Sequence, residues 1–348
     1  MATTILDNVP RNFAATAQTR YANSYRRRLM DRSILDDLLN SNPENIKSLL
    51  GAGKGLKAEL YIPQNVIIRE TQPDGGIIYQ QLTDATETFS INREAYWALK
   101  FRPEDITFMP FDPRTQAFNN AVDQMARFRE KQFGADALGK VPAYNKGHRA
   151  ADGAFDLGAA TDGEAVVLYK TQQQVDNATT VQYRAVAADF MLRVADSIRF
   201  NEGLSGGHVL MVIPSAVKHC IKTSELKYEG LMGRNAALGS DERGGRAEVK
   251  FLGTMDDSIT IIQDNIMFPK WTYTDGSSKV HTVYPIYALM RDAFAFIDDT
   301  IYRDSAMKDI GNWDEHSRAK QVYDWPLLFP QMTAVAYVEI AEPAYSAG

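Results

Sequence analysis

Cys220, the only cysteine of the chain, stands directly beside His219. A sulfur next to an imidazole is a combination that can bind a metal or activate a thiolate. Adjacent residues on a helix point about 100° apart, so the two cannot easily share a metal. The other histidines, His148, His208, His281 and His316, are scattered along the sequence. Cys220 therefore reads as a small core residue. Ser215 sits between an apolar run and a helix-like stretch, the place of a nucleophile elbow, but Ile213-Pro214-Ser215-Ala216-Val217 lacks both flanking glycines. A helix-capping role accounts for it. The pairs Asp256-Asp257 and Asp298-Asp299 have the chemistry to hold a divalent cation or exchange protons, yet adjacent acids of this kind are chiefly solvated turn formers. Gly51-Ala-Gly53-Lys54-Gly55 has the look of a phosphate loop, but Gly55 stands where magnesium needs a hydroxyl, and the first glycine is missing at the required spacing. Gly203, Gly206 and Gly207 precede an apolar strand, whereas a dinucleotide fingerprint needs its glycines after one. The expectation is a protein that is not an enzyme, with no catalytic residue, no cofactor and no metal.

Composition sets the outer limits. With 348 residues, 45% hydrophobic and 24% charged, the chain can bury a sizeable core. No window approaches the roughly 18 consecutive apolar residues of a membrane span, and the N-terminus lacks the basic start and apolar stretch of a signal peptide. A soluble protein that folds in a cytoplasm, with no membrane partner, is expected. The net charge of −6 is unevenly spread: six arginines face two aspartates in the first 32 residues, a local +4 that leaves −10 for the rest. Such an arm can touch an acidic partner, or its arginines can solvate a surface helix or pair with carboxylates of an adjacent subunit.

The elements come in an unusual order. Helical pattern runs from Ser24 through Leu29, Ile34 and Leu38, and a second short helix is expected over Ile46 to Leu50. Ala58 to Ile62, Val66 to Ile68, the turn Pro73-Asp74-Gly75-Gly76, Ile77 to Tyr79 and then Thr86 to Ile91 read as an extended β-hairpin. A two-stranded ribbon is only marginally stable alone, so this one must lie on something. After Asp112-Pro113 a long helix carries Phe118, Val122, Met125 and Phe128 as its apolar stripe, with Arg127, Arg129, Glu130 and Lys131 on the other faces. It is expected to end near Gly134 or Gly139. A helix from about Thr180 places Val186, Phe190, Val194 and Ile198 on one face. His208 to Ile213 is a buried strand closed by Pro214. Ala216 to Leu226 reads as a helix, and Val249 to Leu252, Ile259 to Ile262 and Val283 to Leu289 as strands, with Asp275-Gly276 at a turn. Tyr302 to Val322 reads as polar and irregular, and Met332 to Ile340 as a closing strand.

This order, and the local pattern Phe190 to Ile198, Glu202-Gly203, Val209-Leu-Met-Val-Ile-Pro214, Ala216-Val217 and Ser224-Glu-Leu226, resembles the major capsid proteins of tailed bacteriophages with the HK97-type fold. Val249 to Gly253, Ile266-Met267 and Val322 to Ile340 also fit their places in that family. The resemblance implies an α+β fold with an N-terminal arm (1–55), an extended β-hairpin loop (56–90), a peripheral domain with a long spine helix (91–164), an axial α/β domain (165–300) and a return to the peripheral domain (301–348).

The function it implies is that of a coat protein, self-assembling into pentamers and hexamers of an icosahedral shell around a double-stranded DNA genome. Its place is then the virion, after assembly in the host cytoplasm. The implied partners are further copies of the chain, packaged DNA, a portal protein, a separate scaffolding protein and a decoration or cement protein. A separate scaffold is expected because the sequence starts at Met1 and reaches the arm at once. No lysine lies between Val66 and Ser90, so the lysine cross-link of some members is not expected. The residues expected at inter-subunit contacts are Arg26, Arg27 and Arg28 in the arm and Arg69, Glu70, Ile77 and Tyr79 in the loop. An encapsulin-type compartment and a soluble α/β enzyme are the alternative readings.

Overall fold

The computed structural model describes residues 33–40, 46–48, 57–62, 85–91, 93–102, 113–148, 156–177, 183–202, 207–224, 251–255, 258–308 and 315–341. A single helical turn, α1 (Leu35–Leu38), precedes strands β1 (Ile46–Ser48), β2 (Lys57–Ile62), β3 (Ala85–Ser90) and β4 (Arg93–Phe101), and then the long helix α2 (Pro113–Lys140). Next come β5 (Val166–Tyr169), α3 (Gln172–Asn177), β6 (Arg184–Val186), α4 (Ala187–Glu202), β7 (Val209–Ile213) and α5 (Ser215–Lys222). The chain continues through β8 (Phe251–Met255), β9 (Ile259–Gln263), β10 (Trp271–Thr274), β11 (Val280–Met290), β12 (Ile297–Lys308), β13 (Glu315–Asp324) and β14 (Thr333–Ile340).

Three sheets organise these strands. An eight-stranded sheet has the order β6-β5-β14-β11-β7-β9-β8, with β10 paired to β11. Its β14–β5, β5–β6 and β7–β9 pairs are parallel, as the intervening helices require. Its central strands are buried on both faces, so their side chains divide between two cores. From β7, Val209, Met211 and Ile213 join Phe190, Met191, Val194 and Ile198 of α4 and Val217, Cys220 and Ile221 of α5. Leu210 and Val212 point the other way, with Tyr287 and Leu289 of β11, toward α2. The other sheets are β1-β2-β3 and β12-β13-β4, all antiparallel.

Several expectations change. Ile46–Ser48 is a strand, with Ile46 opposite Leu60, because the backbone of β2 offers an edge that outweighs the weak preference of three residues for a helix. The helix expected from Thr180 begins at Ala187, since Arg184–Val186 pairs with β5 first. The stretch expected to be irregular holds the two long strands β12 and β13, whose register shifts between Thr300 and Tyr302 and between Asp304 and Met307. Bulges of this kind break the period of two that announces a strand. Helix α2 does start at Pro113 and end beside Gly139, at Lys140. Its buried face, however, is Val122, Met125, Ala126, Arg129, Glu130, Phe133, Gly134 and Ala137, a strict three-and-four spacing with two charges in its middle, while Phe128 is exposed. The remainder of the expected hairpin, from Val66 to Tyr79, lies outside the described residues.

Candidate functional site

The residues with chemical potential are used structurally. Cys220 is buried on α5, and that burial pushes its thiol pKa up, which keeps it protonated and unreactive. Ser215 is not a cap: Pro214 holds the N-cap position with no side-chain bond, and the Ser215 amide instead donates to Asn265 Oδ1 at 2.8 Å. Asp298 is not a solvated turn residue but lies within β12, its side chain 4% exposed. Asp256 and Asp257 lie outside the described residues, as do Arg26, Arg27, Arg28, Arg69, Glu70, Ile77 and Tyr79.

Asp298 belongs to the polar anchor that seats α2. Arg129, fully buried, donates from Nη1 to Asp298 Oδ2 at 3.1 Å, and Gln321 of β13 donates its amide to Asp298 Oδ1. The guanidinium carbon lies 4.8 Å from the ring centre of Phe296 and 5.5 Å from that of Tyr323, so the rest of the cation rests against aromatic faces. Glu130 accepts the Ile34 amide at 2.9 Å, fixing the chain entry to α1. Nearly two turns further on, Asp136 accepts from Arg93 of β4 and from Trp325 Nε1 at 3.1 Å, while Phe133 between them meets Tyr287, Phe294 and Trp325 edge to face. Gly134 allows the closest approach: a Cβ there would come within 1.8 Å of the Met267 carbonyl oxygen. These contacts hold α2 rigidly against both the β12-β13-β4 sheet and the loop after β9.

That rigid seat leaves an apolar groove open between α2 and β4. It has a volume of ≈ 620 Å³ and is lined by Tyr96, Trp97 and Leu99 of the strand and Ala121, Met125 and Phe128 of the helix. Tyr96 is 77% exposed and Phe128 47%. Trp97 packs edge to face on Phe118, 5.9 Å between centres, which stiffens one wall. Lys320 and Glu94 pair at 2.7 Å beside it. β4 is also an edge strand, pairing with β13 alone among the described residues. Clustered exposed aromatics beside an open strand edge suit binding another polypeptide rather than a reaction. The sequence reading missed this surface. It placed Phe128 in the buried stripe and did not assign β4, although the alternation in Arg93-Glu-Ala-Tyr-Trp-Ala-Leu-Lys-Phe101 was there to be read.

No protein-family model matches the sequence, and no curated protein matches it. Solved structures do. The capsid of Ralstonia phage GP4 is similar at a TM-score of 0.58 and 10% identity, over 91% of this chain and 93% of that one. A structure from Mycobacterium phage Che8 gives 0.50 at 15% identity, over 88% and 90%. The capsid of the cyanophage P-SCSP1u gives 0.50 at 12%, over 89% of each chain. Likeness at such low identity speaks for architecture, and here it spans nearly the whole chain: the α+β arrangement built on α2 and the eight-stranded sheet is the HK97-type capsid fold.

Proposed function

We propose that the chain is a major capsid protein, a structural subunit that self-assembles into the pentamers and hexamers of an icosahedral shell enclosing double-stranded DNA. The observation that carries this reading is the extent of the fold likeness: about nine-tenths of the chain matches phage capsid subunits in order and arrangement. The groove between α2 and β4 supports it, because an aromatic surface held on a rigid base is what a neighbouring copy needs for docking. The subdivision into arm 1–55, loop 56–90, peripheral segments 91–164 and 301–348 and axial segment 165–300 belongs to the same reading. So do the contact roles of Arg26, Arg27, Arg28, Arg69, Glu70, Ile77 and Tyr79, the scaffold, portal and decoration partners, and assembly in the host cytoplasm. Repeated contacts of this kind close into rings, and small changes in bend allow one chain to form both five- and six-fold units.

The test is negative-stain microscopy of the chain expressed with its neighbouring genes, beside a variant lacking residues 66–79. Regular shells from the full chain and a folded, unassembled subunit from the deletion are expected. Normal shells from the deletion overturn the role of the loop. A full chain that stays monomeric overturns the capsid reading, and protein cargo in place of DNA points to a cellular compartment.

A further inference from the structure

Four side chains, from β10, the turn after it, β11 and β14, meet where β11 extends beyond its pairing with β14. The β11–β14 ladder ends at Tyr284 opposite Val338, and among the described residues β10 pairs with β11 alone, from Trp271 opposite Val283 to Thr274 opposite Val280. The β10–β11 hairpin is therefore tied to β14 here through side chains, Trp271 against Tyr337 being one such contact. His281 provides another. Its ring stacks on Tyr273 with centres 4.9 Å apart, its Nδ1 lies 2.9 Å from Glu339 Oε2, and its Nε2 lies 3.3 Å from Asp275 Oδ2. The other oxygen of Glu339 accepts the Tyr273 hydroxyl at 2.7 Å. Asp275 is fixed in the turn, its Oδ1 accepting the amides of Ser277 and Lys279.

Both ring nitrogens thus face carboxylate oxygens. A neutral imidazole has one N–H and turns a lone pair toward one of the two acids, whereas the imidazolium donates to both. The surrounding charges agree. Glu339 on β14 and Asp275 in the turn face the ring directly, and Asp162, in the loop before β5, lies near enough to act on Tyr273. Glu339 first, and Asp275 after it, hold the His281 pKa above its ordinary value against the opposing effect of burial. Burial, followed by the bond to Glu339, pushes the Tyr273 pKa up, so its hydroxyl remains a donor. The Lys279 amide, ahead of the bond from His281, keeps Asp275 below its usual range and ionised.

We propose that His281, Glu339 and Asp275 form a proton-operated clasp: the imidazolium fastens the β10–β11 hairpin to the closing strand β14, and loss of its proton loosens the hairpin. A group whose folded pKa is raised contributes fully below its unfolded value, and that contribution disappears as pH rises through the folded value. The clasp is therefore shut in mildly acidic solution and opens as the medium becomes alkaline. It does not depend on assembly and can be read on the unassembled full-length chain.

Hydrogen exchange followed by mass spectrometry, with labelling times scaled to the intrinsic rate at each pH, tests it between about pH 6 and about pH 9. Protection of residues 271–283 is expected to fall with rising pH, by up to about tenfold for each unit by which the folded pKa exceeds the unfolded one. H281Q is expected to give a flat profile. Carbon-13 NMR of ring-labelled histidine supplies the second measurement: the resonance missing in H281Q should titrate above about 6.5 and move down in E339Q. The same pH trend in H281Q, or a midpoint at or below the ordinary value, overturns the clasp. If H281Q does not fold, D275N takes its place, and a midpoint that D275N leaves unmoved overturns it equally.

Discussion

Replacing Arg129 with methionine removes the one charge that, among the described residues, compensates Asp298 within a site closed to solvent. The Arg129 side chain is 0% exposed and that of Asp298 4%. Removing one partner of such a pair costs about 3–5 kcal/mol, because the remaining charge keeps its desolvation cost without its counter-charge. The loss is a large share of the roughly 5–15 kcal/mol that holds a folded domain together. R129M/D298L behaves differently. With both charges gone, a buried pair replaced by apolar groups is close to neutral. Gln321, however, loses the oxygen to which its amide donates, and an orphaned buried donor costs about 1–3 kcal/mol. The double variant should therefore be less damaged than R129M alone. Urea unfolding at fixed protein concentration, followed by the fluorescence of the buried Trp325 beside Tyr323, measures both. An R129M cost below about 1 kcal/mol, or a double variant that costs the sum of the two singles, refutes the claim that this pair seats the helix.

Gly134→Ala drives a methyl group into the Met267 backbone carbonyl; it should destabilise by about 1–3 kcal/mol or more, read as a lowered unfolding midpoint. Tyr96→Ser and Phe128→Ser remove exposed rings from the groove, so unfolding should stay within about 0.5 kcal/mol while shell formation fails; normal shells in microscopy would show that the groove is not a contact surface. Changing Arg26, Arg27 and Arg28 together to Glu should leave helical content by circular dichroism unaltered and block assembly or yield fragile particles; wild-type yield and heat resistance would show that the charge is merely solvated.

What the sequence disclosed depended on whether apolarity and burial coincide. They do in Val209–Ile213 and in Thr333–Ile340, apolar runs closed by a proline or by the end of the pattern, and both strands lie where the residues suggested. They part company in β13. Its buried residues are Ala319, Gln321, Val322 and Tyr323, which do not alternate, and the bulged pairing with β12 interrupts the alternation on the partner strand. A polar residue at an inward position is legible only through the group that satisfies it, and for Gln321 that group is Asp298 on the neighbouring strand.

The same separation governs α2 and the surface it presents. Arg129 and Glu130 continue the helix's buried face, but their partners, Asp298 and Ile34, lie 169 and 96 residues away in sequence. Read locally, two adjacent charges end an apolar stripe, and the reading then slides onto Phe128, the residue the structure leaves exposed. The two errors are one. Once the charges are counted as inward, the three-and-four spacing from Val122 to Ala137 is unbroken and Phe128 falls on the outer flank. An exposed aromatic on a helix held by a buried ion pair, facing the exposed Tyr96 of β4, is surface left open among the described residues, and in the proposed shell a neighbouring copy is the partner that would cover it.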